Sequence, residues 1–167
     1  MTQPAASPEF ERIRGYLQSQ AAQKSVDDLI ERVQEAIDEL HATARTVPPA
    51  QWEVDHPGEQ WSPRKCLEHI VASDLAVGRQ ILHVALTGEV PGYREEIAVA
   101  ADCESAIAQH QEGIDSLYAH VREADPAAHL EIAWKHPFFG DLNWREWLLF
   151  LRIHARDHRG QLLKMMA

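Results

Sequence analysis

At 167 residues, with 45% hydrophobic and 25% charged side chains and a formal net charge of −10, the chain is long enough for one domain with a buried core. The acidic excess repels polyphosphate backbones and anionic lipid surfaces, which excludes them as general partners and leaves small molecules or proteins. Cys66 and Cys103 are the only cysteines, too few for a disulfide framework or a four-cysteine zinc site, and they fit a reduced cytoplasmic setting.

No run of 18 apolar residues occurs, so a membrane-spanning helix is not expected. The first residues lack the basic start and apolar run of a secretory signal. In chain order, Ser7-Pro8-Glu9 predicts the opening of a short helix, with a capping serine and a proline suited to the first turn. Ser25 then caps an amphipathic stretch in which Val26, Leu29, Ile30, Val33, Ile37, Leu40 and Ala44 recur at helical spacing, and Pro48-Pro49 ends it. After a connector, a second long helix opens at Ser62-Pro63, carries Cys66, Ile70, Val77, Ile81 and Val84 on one side, and fades at Thr87-Gly88. A third runs from about Asp102 to Ala124, with Ile107, Ile114, Leu117 and Val121 inward. The segment 130–140 alternates briefly and then carries turn residues, which reads as an extended, ordered loop. Asn143 and Glu146 form a capping-box start to a last helix reaching nearly to Ala167. Four long helices with short to medium connectors predict an all-α domain, a four-helix bundle over 24–167, preceded by a helical extension over 1–23.

The last helix carries the chemistry. Trp144, Trp147, Leu148, Leu151, Leu162 and Met165 share one stripe, and His154 and His158 fall inside it. Spaced by four, their imidazoles stack on one face, able to grip one ion from two directions. Hydrogen bonds to backbone or carboxylate groups would satisfy them equally well. His69, at the edge of the second helix's stripe beside Cys66 and Ser73, would complete a three-nitrogen set and leave a coordination position open. His110 sits on an apolar face of the third helix and competes for the same role. His41, His83, His120 and His129 read as exposed or edge positions, and His56 and His136 precede prolines in connectors.

Two segments bear on that choice. Trp61-Ser62 followed by His69 resembles the opening of the second helix in the DinB-like superfamily, which includes bacterial thiol S-transferases using bacillithiol and related cofactors. His136-Pro137-Phe138-Phe139-Gly140, followed by His154, His158 and Gln161, is similar to that superfamily's His-Pro-x-x-Gly loop and final helix. The likeness covers the chain from about residue 24. It implies an up-down-down-up bundle with His69, His154 and His158 as ligands of one divalent metal, leaving His110 out. Three imidazoles suit zinc, nickel, iron and copper, and zinc or nickel is the expected ion.

Around that site, Gln161 is the candidate to orient a ligand imidazole, whereas Asp157 points away as a solvated charge. Trp61 and Trp147 read as core aromatics able to wall a pocket, and Phe138 and Phe139 as loop residues able to do the same. Cys66 reads as a small core filler rather than a reactive thiol. The expected function is a metal-dependent thiol S-transferase or hydrolase acting on a small electrophile; the alternative is a non-catalytic metal-binding module of stress or damage response. No residue stands out as catalytic beyond the ligands. Leu149, Phe150 and Ile153 form a second apolar patch on the last helix, to be covered by the N-terminal helix or by the second copy of a homodimer.

Overall fold

The computed structural model describes residues 7–167. Five helices and one hairpin follow in order: α1 (Pro8–Gln23), α2 (Val26–Arg45), a 3-10 turn at Pro49–Gln51, α3 (Pro63–Thr87), α4 (Cys103–Glu123), β1 (Ala133–His136), β2 (Gly140–Asn143) and α5 (Trp144–Met166). Each helix starts where a short polar side chain can accept from the free amides of the first turn. Ser7, Ser25, Ser62, Asp102 and Asn143 are those caps, with full capping boxes at Ser25/Asp28 and Asn143/Glu146. α3 ends at Gly88, whose φ of +73° suits a residue without a Cβ; a Cβ there would also meet the His129 ring at 2.6 Å.

Around the bundle the order is α2–α4–α3–α5, since α2 packs on α4 and α5, and α3 on α4 and α5. The connectors 46–62 and 124–143 therefore join elements that sit diagonally. The core between the helices is apolar and fully enclosed: Leu29, Val33, Ile37, Ile70, Val77, Ile81, Ile114 and Leu148 are all buried. Among the described residues α3 is the one helix long and apolar enough to cross a membrane, by length and composition only. Half of that stretch is buried inside the bundle, so its composition is that of a core helix and does not contradict the sequence expectation. The reason is its position between α4 and α5, which demands apolar residues on more than one face.

The segment 130–140 is not a plain loop. Trp134 pairs with Leu142 and His136 with Gly140 in an antiparallel hairpin, turning at Pro137–Phe139 and closing on Gly140 with φ +76°. Trp134 stacks on Trp147 at 5.3 Å, and the Trp147 indole N–H donates to the Trp134 carbonyl at 3.3 Å. These contacts fix the hairpin against the first turns of α5.

α1 lies against α5 with Leu17 and Ala21 buried, and its Phe10 and Ile13 face Phe150 and Ile153 across a cavity. The second patch on α5 is thus covered within the chain, and it supplies no separate reason for a second copy. Arg145 locks the far end of α1. It is buried and donates to the carbonyls of Ala21 at 3.1 Å, Pro126 at 3.0 Å and Lys24. Arg145→Ala is expected to cost about 2 kcal/mol or more by leaving those carbonyls without a charged donor. Urea denaturation checks this, and an unchanged midpoint would show that α1 is held by its apolar face alone.

Candidate metal centre

α3 and α5 bring three imidazoles together. His69, His154 and His158 each offer a nitrogen, and the three nitrogens lie within 4.8 Å of one another. The Nε2 atoms of His69 and His154 are 3.4 Å apart. Two nitrogens held tetrahedrally about 2.1 Å from one ion are separated by about 3.4 Å, so the His69–His154 pair has the spacing of two ligands of one divalent metal, with the His158 nitrogen within 4.8 Å of both. His158 is buried, His154 is half-buried, and His69 keeps one side open to solvent. Burial, reinforced by the charges of His154 and His158, holds His69 well below the ordinary imidazole range, at about 4. Burial, followed by the His154 charge, lowers His158 too, against the Gln161 hydrogen bond. Both rings are therefore neutral at pH 7, as ligation requires.

The outer partners decide which nitrogens are free. Gln161 Oε1 lies 2.8 Å from His158 Nδ1, an accepting oxygen that keeps the proton on Nδ1 and leaves Nε2 to ligate. Asp74 Oδ1 lies 2.7 Å from His154 Nδ1 and does the same there. Asp74 is fully buried. Burial alone would raise its carboxyl, but the charges and hydrogen bonds of His154 and His110 outweigh it and hold the group at about 2. It is a carboxylate, so every neighbouring ring nitrogen donates to it. Its second oxygen accepts from His110 Nε2 at 3.0 Å, and His110 Nδ1 in turn faces His41 Nε2 at 2.9 Å.

Every residue singled out in the sequence can now be placed. Trp61 lies over the cluster, its ring 4.9 Å from His69 and 6.1 Å from His158. Trp147, Phe138 and Phe139 wall a cavity of about 600 Å3 that reaches all three imidazoles; Phe139 is buried and Phe138 exposed. Asp157 is exposed. Cys66 is buried, 3.5 Å from Gln161 Oε1. Burial, with Asp157 and Glu59 nearby, pushes its thiol up to about 12, so it is an inert filler. His110 lies in the core and not in the cluster. His41 is not an edge residue but buried, because the far side of its ring is covered once α4 packs on α2.

The sequence reading missed Asp74, His136, Arg94 and the contribution of α1. Asp74 was detectable, since it fills the vacant step between Ile70 and Val77 in the apolar stripe of α3. His136 is buried and its Nδ1 accepts from the Phe138 and Phe139 amides at 3.1 and 3.3 Å, closing the hairpin turn that forms one cavity wall. Burial first, then His154 and Arg94, lowers it to about 4. Arg94 reaches the cavity from the loop after α3, where burial lowers its guanidinium.

Acid is expected to unfold the metal-free protein early. Burial, then His110, depresses His41 to about 4, and His136 stands at about 4 as well. Unfolded imidazoles titrate near 6.5, so between pH 6.5 and 4 the unfolded chain binds the extra protons. Stability present above pH 6.5 is then lost as pH falls towards 4. Thermal midpoints across that range should fall, and less steeply in His136→Gln; parallel curves would remove His136 from this account.

Residues 32–162 match the DinB superfamily. A solved structure described as TT2238, a four-helix bundle protein, is similar with a TM-score of 0.60 and 24% identity, over 84% of this chain and 99% of that one; at that identity the likeness concerns the fold. No curated protein matches the chain.

Proposed function

The chain belongs to the DinB superfamily, and on that premise we propose that it is a metal-dependent enzyme joining a small thiol to an apolar electrophile. One observation carries the reading: three imidazoles with converging nitrogens form the floor of an aromatic cavity rather than a closed knot in the core. Among the described residues no fourth donor completes the cluster, and a position facing the cavity stays available to an exogenous ligand. A divalent ion, zinc or nickel, held by His69, His154 and His158 would favour the thiolate form of a thiol bound there.

The protein groups supply orientation and exclusion of water. Phe138, Phe139, Phe150, Phe10 and Ile13 offer an apolar bed for the electrophile. Arg94 is the one cationic residue lining the cavity among those described and suits the carboxylate of a low-molecular-weight thiol cofactor. In the reaction the sulfur forms a bond to carbon while the carbon–chlorine bond of a chlorinated aromatic breaks, releasing chloride. With an epoxide the carbon–oxygen bond breaks instead, and the ring oxygen takes a proton from water, which balances the proton that the thiol gives up to solvent as it becomes the thiolate.

The test is conjugation by metal-loaded protein with bacillithiol, mycothiol and glutathione against a chlorinated aromatic and an epoxide. Wild type should exceed His154→Ala by at least tenfold, and Arg94→Gln should raise KM for the thiol several-fold with little change in kcat. Equal rates in wild type and His154→Ala with all three thiols would leave a non-catalytic metal-binding module as the better reading.

A further inference from the structure

A second set of polar groups lies behind the candidate metal centre, where a bundle core ordinarily holds only apolar side chains. His154 of α5, Asp74 of α3, His110 of α4 and His41 of α2 form a continuous row, with successive contacts of 2.7, 3.0 and 2.9 Å. Each bundle helix contributes one member. Asp74 and His110 are fully enclosed and His41 nearly so. Four polar groups in an apolar core cost stability unless every one is satisfied, and a simple packing role would be met more cheaply by leucine.

The row has a direction. Asp74 can only accept, so His154 Nδ1 and His110 Nε2 both carry protons. In a neutral His110, Nδ1 then holds a lone pair and accepts from His41 Nε2–H. All three donors point towards the carboxylate, and the outcome is a single arrangement in which His154 keeps Nε2 free on the cavity side. We propose that His110 and His41 are positioning residues of the metal centre: acting through Asp74, they fix the tautomer and ring orientation of His154 from across the bundle. Asp74 also brings a buried negative charge beside the three imidazoles, which favours a dication in the cluster. This inference rests on the metal reading above.

The test uses the full chain, with zinc as probe and affinity measured by competition with a chromophoric chelator. His110→Leu removes the donor to Asp74 and should weaken zinc by roughly tenfold, within the ~10–100-fold span seen for outer partners of metal ligands. His110→Gln keeps an N–H for Asp74 and should recover most of the loss, a rescue that mere packing would not produce. Nitrogen-15 correlation spectra of the imidazoles, in wild type alone, should show His154 protonated on Nδ1 and both His110 and His41 on Nε2. Should His110→Leu fail to fold, the spectra still decide, since an Nδ1-protonated His110 overturns the proposal. Zinc binding unchanged in a folded His110→Leu would overturn it while leaving the metal centre intact. A wild type with no affinity for zinc or nickel would overturn the metal reading itself.

Discussion

His158→Ala is expected to empty the metal centre, with affinity falling by more than the ~10–100-fold typical of losing an outer partner. His158 is buried beneath Trp61, which stacks nearly parallel to it, so water has little room to take the missing ligand's place. His69 and His154 alone would hold the ion from α3 and α5 with two nitrogens, a set that loses ions readily to dilute chelator. Elemental analysis after gel filtration measures this directly. Equal metal per chain in wild type and His158→Ala would remove the site. Gln161→Ala should give a milder loss, because it frees the His158 ring to choose the wrong tautomer without removing the donor.

The largest effect on stability is expected at Asp74. Asp74→Ala would leave His110 and His154 facing a gap in the centre of the bundle, each without its acceptor. Leaving a buried donor without its acceptor costs about 1–3 kcal/mol, and here two donors lose theirs. For a domain of this size such a loss is a large part of the whole margin of stability. Chemical denaturation of the metal-free protein at pH 7 should therefore show a midpoint far below the wild type. A shift equivalent to under about 1 kcal/mol would mean that the carboxylate is not the keystone of the row. Asp74→Asn keeps the shape and one acceptor oxygen, and its smaller loss would separate charge from volume.

Much of this architecture is legible in the residues themselves. The caps at Ser25, Ser62, Asp102 and Asn143 and the stripes that follow them fix all four bundle helices to within a residue or two. The spacing of His154 and His158 brings two rings together whatever the tertiary fold. What spacing cannot deliver is the partner of each ring. Asp74 is close to neither histidine in sequence, and its role depends on how α3 turns between α4 and α5. His41 looks like an edge position on α2 alone, since the face that buries it belongs to α4. The hairpin at 133–143 is short and its strands carry little alternation, so its pairing depends on Trp134 finding Trp147. α1 could be foreseen as a helix and as one of two covers for the α5 patch, but not as a wall of the cavity.

That last arrangement divides the labour between parts of the chain. The three clustered imidazoles come from α3 and α5 alone, whereas Phe10 and Ile13 come from α1 and Phe138 and Phe139 from the hairpin turn. Substitutions in α1 or in the three-residue turn can reshape what the cavity admits without touching the three imidazoles or the row behind them. Inherited variation can therefore alter the cavity one wall at a time while the three imidazoles and the row behind them stay as they are.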